Sequence, residues 1–347
     1  MVPSAENKTD VRSFLDLSGS IPVIDVRSPS EFNYGHIPGA HNIPLFDDNE
    51  RAVVGTLYKK EGRSSAVLKG IELSGPCMHE KLKAAMQTAV DGKLLVHCWR
   101  GGMRSEAMAW LFSLGGIETT ILEGGYKSYR HYILEELAKS RKIIVLGGMT
   151  GSGKTHILRR IGELGNTVID LERLANHKGS AFGALGQEPQ PSSEHFANLL
   201  YDEWMKSDNL KPLWLEDESR NIGSVFMPDT FYRHLQVAPA IVLRMPVPMR
   251  LPRLIEEYSK YPAARLKESI MKISKRLGGS NAAEAAKAVD EGDFSKAIEI
   301  TLGYYDKTYL FGVSRKESGQ VIYADTVTDD IEINAQIVLE ASRKIRF

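Results

Sequence analysis

Short apolar runs alternate with amphipathic stretches through the first third of the chain. Residues 21–26, 94–97 and 119–122 are apolar runs of strand length, and residues 41–44 form a shorter one. After the first run, residues 28–31 (Ser-Pro-Ser-Glu) have the pattern of a capping box with proline at the first helical position. This alternation predicts an α/β fold with a mainly parallel sheet and helices on both faces.

The same alternation continues in the second half, after a helical stretch over residues 126–140. Long helical patterns separate its strand candidates, notably residues 265–277 and 282–305, and they predict a helical C-terminal region. The predicted strands of this half are residues 142–146, 167–170, 213–215, 240–244 and 320–323.

The totals are those of a globular protein with two domains. A length of 347 residues lets each domain bury a core. We predict a first domain over residues 1–130, a linker helix over 131–141 and a second domain over 142–347. Hydrophobic residues make up 42% of the chain and charged residues 25%, as in ordinary globular proteins. Since there is neither an apolar run of membrane-spanning length nor a secretion signal, we expect a cytoplasmic protein without a membrane partner.

Cysteine usage and net charge narrow the functional class. The two cysteines, Cys77 and Cys98, are spaced for neither a disulfide framework nor a zinc site. A reducing compartment, in which a reactive thiol persists, fits this usage. The net charge of zero argues against a uniformly basic surface, so any contact with RNA must use local basic groups.

The most informative segment is residues 97–105, HCWRGGMRS, between an apolar run and a helical pattern. Its two glycines allow a tight loop whose N–H groups converge on one point. The start of the following helix, together with Arg100 and Arg104, favours negative charge there. These features lower the pKa of a thiol, so we predict that Cys98 is a nucleophile that solvent and substrate can reach. The alternative is a buried, inert cysteine.

A second anion-binding loop follows the predicted strand at residues 142–146. Residues 148–155 match the pattern G-x-x-x-x-G-K-[ST] in full, and a helical pattern follows them. In such a loop the backbone N–H groups wrap a phosphate, Lys154 reaches its outer oxygens, and the Thr155 hydroxyl can hold Mg²⁺. The phosphate-binding candidates are therefore Gly148, Gly151, Ser152, Gly153, Lys154 and Thr155.

Carboxylates and cations elsewhere in the second half are candidates for a metal site or a lid. Glu216 and Glu218 follow a predicted strand and share one side of it, and Asp170 ends another strand. These groups serve as metal ligands or acid–base groups, or they are a solvated acidic turn. Lid candidates, by analogy with phosphate-transfer enzymes, are Lys178, Arg250 and Arg253.

Several motifs resemble those of known families. The Asp25-Val26-Arg27 segment, the loop at residues 35–40, the Cys98 loop and residues 122–126 together resemble a rhodanese domain. A rhodanese domain followed by a P-loop domain resembles the tRNA 2-selenouridine synthase family. The phrases at residues 170–183 and 215–223 add to this likeness, which covers nearly the whole chain.

The resemblance implies a transferase that acts on the wobble uridine of tRNA. In this family 2-thiouridine is S-geranylated by geranyl diphosphate, and selenium from selenophosphate then replaces the geranylthio group. By this resemblance Cys98 would carry the selenium as a perselenide, with Arg100 and Arg104 balancing its charge. The second loop, through Gly153, Lys154 and Thr155, would hold the diphosphate. The implied partners are tRNA and an enzyme that produces selenophosphate.

Three other interpretations stay open at the level of sequence. Five residues separate Cys98 from Arg104, where a typical sulfurtransferase has four, and the longer spacing is that of cysteine-dependent phosphatases. Lys154 and Thr155 also suit a rhodanese-coupled kinase or ATPase that binds ATP with Mg²⁺. In a third interpretation the P-loop domain is a nucleotide-sensing switch and the rhodanese domain a docking module.

Overall fold

The computed structural model describes residues 7–316 and 319–347. The chain divides into two compact units, Met1–Glu136 and Leu137–Phe347. The division lies next to the last residue of one helix, Gly125–Leu137, in the stretch where the sequence predicts helix over residues 126–140. Each unit has its own parallel sheet and its own core.

The first unit has a five-stranded, entirely parallel sheet, whose strands lie in the order β1 (Asn7–Thr9), β5 (Glu118–Leu122), β4 (Lys93–His97), β2 (Val23–Asp25) and β3 (His41–Asn42). The predicted fold is confirmed, with helices on both faces. The sequence patterns did not identify the strand at Asn7–Thr9 or the helices at Val11–Ser18, Asp48–Lys60, Arg63–Ser74 and Met78–Thr88. The elements are β1 (Asn7–Thr9), α1 (Val11–Ser18), β2 (Val23–Asp25), α2 (Pro29–Tyr34), β3 (His41–Asn42), α3 (Asp48–Lys60), α4 (Arg63–Ser74), a 3₁₀ turn (Gly75–Cys77), α5 (Met78–Thr88), β4 (Lys93–His97), α6 (Met103–Leu114), β5 (Glu118–Leu122) and α7 (Gly125–Leu137).

The core of the first unit packs around the central strand β4. Leu94 and Val96 on that strand are buried against Ile24 of β2 and against Met108 and Phe112 of α6. Burial of such side chains is the main favourable term in folding. β4 ends inside this core. Cys98, which follows β4 directly and begins the loop to α6, is therefore held in a fixed position.

The second unit has another five-stranded parallel sheet, whose strands lie in the order β12 (Val321–Asp325), β11 (Ala240–Arg244), β6 (Ile143–Gly148), β8 (Leu213–Glu216) and β7 (Thr167–Val168), with β6 at the centre. The strand predicted at residues 240–244 is found with those bounds. The elements are β6 (Ile143–Gly148), α8 (Lys154–Glu163), β7 (Thr167–Val168), α9 (Leu171–Leu174), α10 (Ser193–Lys206), β8 (Leu213–Glu216), the antiparallel pair β9 (Asn221–Ile222) and β10 (Val225–Phe226), α11 (Asp229–Val237), β11 (Ala240–Arg244), α12 (Val247–Tyr258), α13 (Ala263–Lys272), α14 (Ser274–Leu277), α15 (Gly279–Asp290), α16 (Phe294–Val313), β12 (Val321–Asp325) and α17 (Ile331–Ser342).

The helical stretch predicted over residues 282–305 is divided between two helices. The stretch contains the end of α15 and the start of α16, with a break between Asp290 and Phe294. Gly292 adopts a φ of +76°, which helical residues do not have. The Asp293 side chain then accepts a hydrogen bond of 3.0 Å from the N–H of Lys296 and caps α16. The apolar periodicity continues across this break, so periodicity alone did not reveal it.

A smaller break divides the helix predicted over residues 265–277. α13 ends at Lys272 and α14 begins at Ser274, so Ile273 lies between two helices. Within the described ranges, no helix combines the length and the apolar character needed to cross a bilayer.

Candidate active sites

The first candidate site is the loop that carries Cys98 from the end of β4 to the start of α6. Gly101 has a φ of +65°, a conformation that glycine adopts without strain. The Cys98 side chain is only 4% exposed. The thiol is therefore more enclosed than the accessible nucleophile expected from the sequence, although it is not completely covered.

Close backbone packing fixes this loop against the start of α7. The N–H of Tyr126 donates to the carbonyl of Cys98 at 2.8 Å, and the N–H of Lys127 donates to the carbonyl of Trp99 at 3.0 Å. A Cβ atom at Gly125 would lie 2.4 Å from the Cys98 carbonyl oxygen, closer than real Cβ atoms come. Gly125 is thus required where the two segments meet.

The surroundings of Cys98 favour its ionised form. Burial opposes ionisation, but the Ser105 hydroxyl and the Arg104 charge outweigh it and hold the pKa of Cys98 below the usual value of a thiol. The Ser105 hydroxyl is buried and has no other partner within the described chain, so a thiolate gives it an acceptor.

The two arginines of the loop act differently on Cys98. The Arg104 guanidinium is partly buried and donates a hydrogen bond of 2.8 Å to Glu31. The Arg100 side chain is exposed, and its contribution comes from its backbone N–H, which lowers the pKa of Cys98. The charge balance that the sequence assigned to both side chains is therefore carried mainly by Arg104.

A buried ion pair between Asp25 and Arg27 lies next to the Cys98 loop. Asp25 and Arg27 are 0% and 1% exposed, and the guanidinium makes hydrogen bonds of 2.6–3.0 Å to both carboxylate oxygens. Arg27 also stacks over the ring of Tyr126 at 3.7 Å. His97 is fully buried next to this pair, and burial lowers its pKa, so the imidazole is neutral. The Asp25-Val26-Arg27 segment therefore has a structural role under the Cys98 loop.

The second candidate site is the loop between β6 and α8, at the centre of the second sheet. Gly151 and Gly153 have φ values of +84° and +78°, which give the loop its turn-like shape. The Lys154 ammonium folds back and donates to the carbonyl of Gly148 at 3.0 Å. The Ser152 hydroxyl is fully buried and has no hydrogen-bond partner in the described part of the chain. This arrangement can hold a phosphate group at the N-terminus of α8.

Three glutamates meet at this loop. The Thr155 hydroxyl lies 2.7 Å from a Glu216 oxygen and 3.1 Å from a Glu172 oxygen. Oxygens of Glu172, Glu216 and Glu218 all lie within 4.8 Å of one another. The structure thus brings together the two predicted carboxylates, Glu216 and Glu218, and adds Glu172, which was not predicted. Asp170 instead caps α9, accepting from the N–H of Arg173 at 2.8 Å.

The glutamate cluster resists full ionisation. Burial, and then the charges of the neighbouring glutamates, raise the pKa of Glu172 and of Glu216 to about 8 and that of Glu218 to about 7. Carboxylate and hydroxyl oxygens are the ligands that Mg²⁺ prefers. A divalent cation would neutralise the repulsion among these groups, so Glu172, Glu216, Glu218 and Thr155 fit such an ion.

The predicted lid cations have partners within the second unit. Lys178 forms an ion pair with Glu257. Arg250 is 1% exposed and donates to the Thr150 carbonyl at 2.8 Å and to Asp306. Arg250 therefore holds the phosphate loop through the Thr150 carbonyl. Its burial on α12 differs from the lid position suggested by the sequence. The Arg253 guanidinium lies against Gly153, at the mouth of the loop.

Each of the two units matches a model of a known protein family. Residues 141–338 match the family model described as the tRNA 2-selenouridine synthase AAA domain, and residues 9–132 match the rhodanese-like domain. The chain is similar to the tRNA 2-selenouridine synthase of Bdellovibrio bacteriovorus, with 36% identity over 86% of this chain and 90% of that protein. It is also similar to the enzyme of that name from Shewanella sediminis, with 37% identity over 87% of this chain and 90% of that protein. A solved tRNA isopentenylpyrophosphate transferase from Bacillus halodurans is 13% identical, covers 59% of this chain and 99% of its own, and has a TM-score of 0.31.

Proposed function

This chain belongs to the tRNA 2-selenouridine synthase family, and from that premise we propose that it replaces the sulfur of wobble 2-thiouridine in tRNA by selenium. The proposed reaction has two parts. Geranyl diphosphate first alkylates the sulfur, and selenium from selenophosphate then displaces the geranylthio group. In this proposal the second unit, with the phosphate loop, carries out the alkylation. The first unit, with Cys98, completes the replacement by selenium.

In the first part, the sulfur of 2-thiouridine attacks C1 of geranyl diphosphate. A C–S bond forms, the C1–O bond breaks, and diphosphate leaves with the electron pair while the uridine N3 proton passes to solvent. Lys154 and the N–H groups of the loop stabilise the charge that develops on the leaving oxygen. A divalent cation bound by Glu172, Glu216 and Glu218 would supply further positive charge to the diphosphate.

In the second part, selenophosphate attacks C2 of the alkylated base through its selenium atom. The C2–Se bond forms, the C2–S bond breaks, and geranylthiolate leaves and takes a proton. S-alkylation makes this step feasible because an alkylthiolate is a better leaving group than the sulfur of a neutral thione. The selenium atom still carries its phosphoryl group after this step.

Electron counting favours Cys98 as the acceptor of that phosphoryl group rather than of selenium. A perselenide formed from selenophosphate would leave phosphorus as phosphite, and its S–Se bond would need a reductant. If the Cys98 thiolate attacks phosphorus instead, the S–P bond forms, the P–Se bond breaks, and 2-selenouridine leaves with the electron pair. Water then hydrolyses the phosphocysteine to phosphate, so no oxidant or reductant is needed.

The observation that carries this proposal is the loop from Cys98 to Arg104. Its thiol has a lowered pKa, and five residues separate Cys98 from Arg104, which is the spacing of phosphate-binding loops in cysteine-dependent phosphatases. The Ser105 hydroxyl lies beside the sulfur and can stabilise it as a leaving group when the phosphocysteine is hydrolysed. A thiol that only supported packing would need none of these features.

The test is mass analysis of nucleosides from a tRNA that contains 2-thiouridine, incubated with the protein and both donors. With geranyl diphosphate alone we expect the S-geranyl nucleoside, and with both donors 2-selenouridine, inorganic phosphate and geranylthiol. Absence of the S-geranyl nucleoside in the first reaction would overturn the proposal. ATP hydrolysis that is robust without tRNA would instead favour the ATPase interpretation.

A further inference from the structure

An apolar pocket lies beside the phosphate loop of the second unit. Helices α12, α13, α15 and α16 form most of its wall, with Leu254, Leu266, Val289 and Ile298 among the lining residues. Its volume is about 460 Å³, counted with the open mouth. Small-molecule binding sites are likewise mostly apolar and have a few polar groups at one end.

Two hydroxyl groups of the lining, those of Thr301 and Tyr305, are already paired within the protein. The Thr301 hydroxyl bonds to the carbonyls of Ala297 and Ile298 at 3.2 and 2.8 Å. The Tyr305 hydroxyl accepts from the N–H of Ala181 at 3.1 Å. None of the described residues that line the pocket is charged. A nucleotide base, which needs hydrogen-bond partners, is therefore a poor occupant, whereas a hydrocarbon chain suits these walls.

The pocket is continuous with the phosphate loop. Thr150, a residue of that loop, is part of the pocket lining. A Cβ atom at Gly151 would lie 2.7 Å from the Leu254 side chain, so the loop and the wall are in direct contact. A ligand whose diphosphate lies on the loop can therefore place an attached apolar chain in the pocket.

We propose that this pocket binds the ten-carbon tail of geranyl diphosphate and that Ala297 and Ile298, on α16, limit the tail length it accepts. The inference rests on the proposed function, which supplies the donor. Ala297 is the smallest lining residue, so a larger side chain there fills the pocket. Shortening Ile298 enlarges it.

Calorimetric binding to the full-length protein tests this assignment, with inorganic pyrophosphate, geranyl diphosphate and farnesyl diphosphate as ligands. Wild type should bind geranyl diphosphate at least about tenfold more tightly than pyrophosphate, because apolar surface is buried. Ala297→Leu should remove most of that advantage and leave pyrophosphate binding unchanged. Ile298→Ala should shift the preference about tenfold toward farnesyl diphosphate.

Ile273→Ala is the matched control, because Ile273 is buried in the same helical region but does not line the pocket. It should leave all three affinities in their wild-type ratios. Unchanged pyrophosphate binding in Ala297→Leu and Ile298→Ala shows that each variant is folded at the phosphate loop. A variant that fails this check is replaced by the milder Ala297→Val or Ile298→Val, with the same direction expected.

Failure of the pocket can be distinguished from failure of the proposed function. If wild type forms the S-geranyl nucleoside but both variants keep the wild-type ratios, the pocket assignment is wrong and the function stands. If no S-geranyl nucleoside forms, the function is wrong, while tail-length selectivity that responds to both variants still supports the pocket. Equal affinity of wild type for geranyl diphosphate and pyrophosphate would overturn the assignment.

Discussion

The Arg104 guanidinium donates a hydrogen bond of 2.8 Å to the Glu31 carboxylate. The same carboxylate accepts from the backbone N–H of Ser28 and completes the capping box of α2. One glutamate therefore joins the start of α2 to the cation that favours the Cys98 thiolate. Because Glu31 partly neutralises Arg104, we expect it to limit how far the pKa of Cys98 falls.

Removing the Glu31 charge should lower the pKa of Cys98 further. In Glu31→Gln the amide oxygen can still cap α2, so the helix is kept while Arg104 loses its counter-charge. We expect the pH midpoint of Cys98 alkylation by iodoacetamide to fall by up to about 1 unit. Glu72→Gln, at an exposed ion pair on α4, is the control and should leave the midpoint unchanged. A rise in Glu31→Gln would contradict this assignment.

Arg104 and Arg100 should give different results in the same titration. Arg104→Ala removes a charge that lowers the pKa of Cys98, so the midpoint should rise by about 1 unit. Arg100→Ala keeps the backbone N–H through which Arg100 acts, so its midpoint should move much less. Equal shifts in the two variants would show that net loop charge, rather than Arg104 in particular, controls the thiol.

Gly125→Ala should distort the Cys98 loop. The new Cβ would meet the Cys98 carbonyl oxygen, and the residue has a φ of +62°. Gly116→Ala is the matched control, since its φ is +76° but a Cβ there has no neighbour within 4 Å. Both variants lose about 1–2 kcal/mol to backbone strain. Only Gly125→Ala should lower the free energy of unfolding by roughly 1–3 kcal/mol more. It should also lose the rapid alkylation of Cys98 that we expect of the wild type.

The glutamate cluster predicts a pH-dependent stability that a cation reverses. In the folded state these carboxyls hold protons up to about pH 7–8, whereas in the unfolded chain they lose them near pH 4.5. The folded state therefore binds more protons between these limits, and the stability of the second unit falls as pH rises from about 5 to about 8. In thermal unfolding without divalent cations we expect a Tm several degrees lower at pH 8 than at pH 6.

Mg²⁺ should restore much of that loss at pH 8, because it replaces the protons as the neutralising charge. Glu216→Gln removes one carboxylate, so it should weaken both the pH dependence and the response to Mg²⁺. Glu299→Gln, an exposed glutamate on α16, should behave as wild type. If Mg²⁺ raises the Tm of wild type and of Glu216→Gln equally, the cluster is not its binding site.

The two candidate sites should be separable by their variants. Lys154→Ala should reduce geranyl transfer by about 100-fold, because a charge-stabilising donor to the leaving group is lost. It should still convert tRNA that already carries S-geranyl-2-thiouridine. Cys98→Ser should give the reverse result, with geranylation intact and 2-selenouridine lost. Full activity of Cys98→Ser in the second part would exclude the phosphoryl-acceptor role.

The two loops and most strands could be predicted from the sequence because their signals are local. A glycine-rich loop between a strand and a helix is encoded in a few adjacent residues, as residues 148–155 show. The short capping segment at residues 28–31 was likewise found where it was predicted, at the start of α2.

Groups that depend on contacts between distant segments were not predicted. Glu172 lies on α9, more than 40 residues before Glu216 and Glu218 in the sequence, and it joins their cluster only in the folded chain. The role of Arg250 under the phosphate loop depends on the packing of α12. Enclosure of Cys98 by the start of α7 depends on contacts across more than 25 residues of sequence. Local patterns carry no information about such contacts.

The most direct test of the account is titration of the Cys98 thiol. The chain has two cysteines, so a Cys77→Ser variant leaves Cys98 as the single thiol to follow by alkylation rate against pH. We expect a midpoint clearly below that of free cysteine, and a return toward the free value in Arg104→Ala. A midpoint at or above that of free cysteine, or a thiol that does not react in the folded protein, would contradict it.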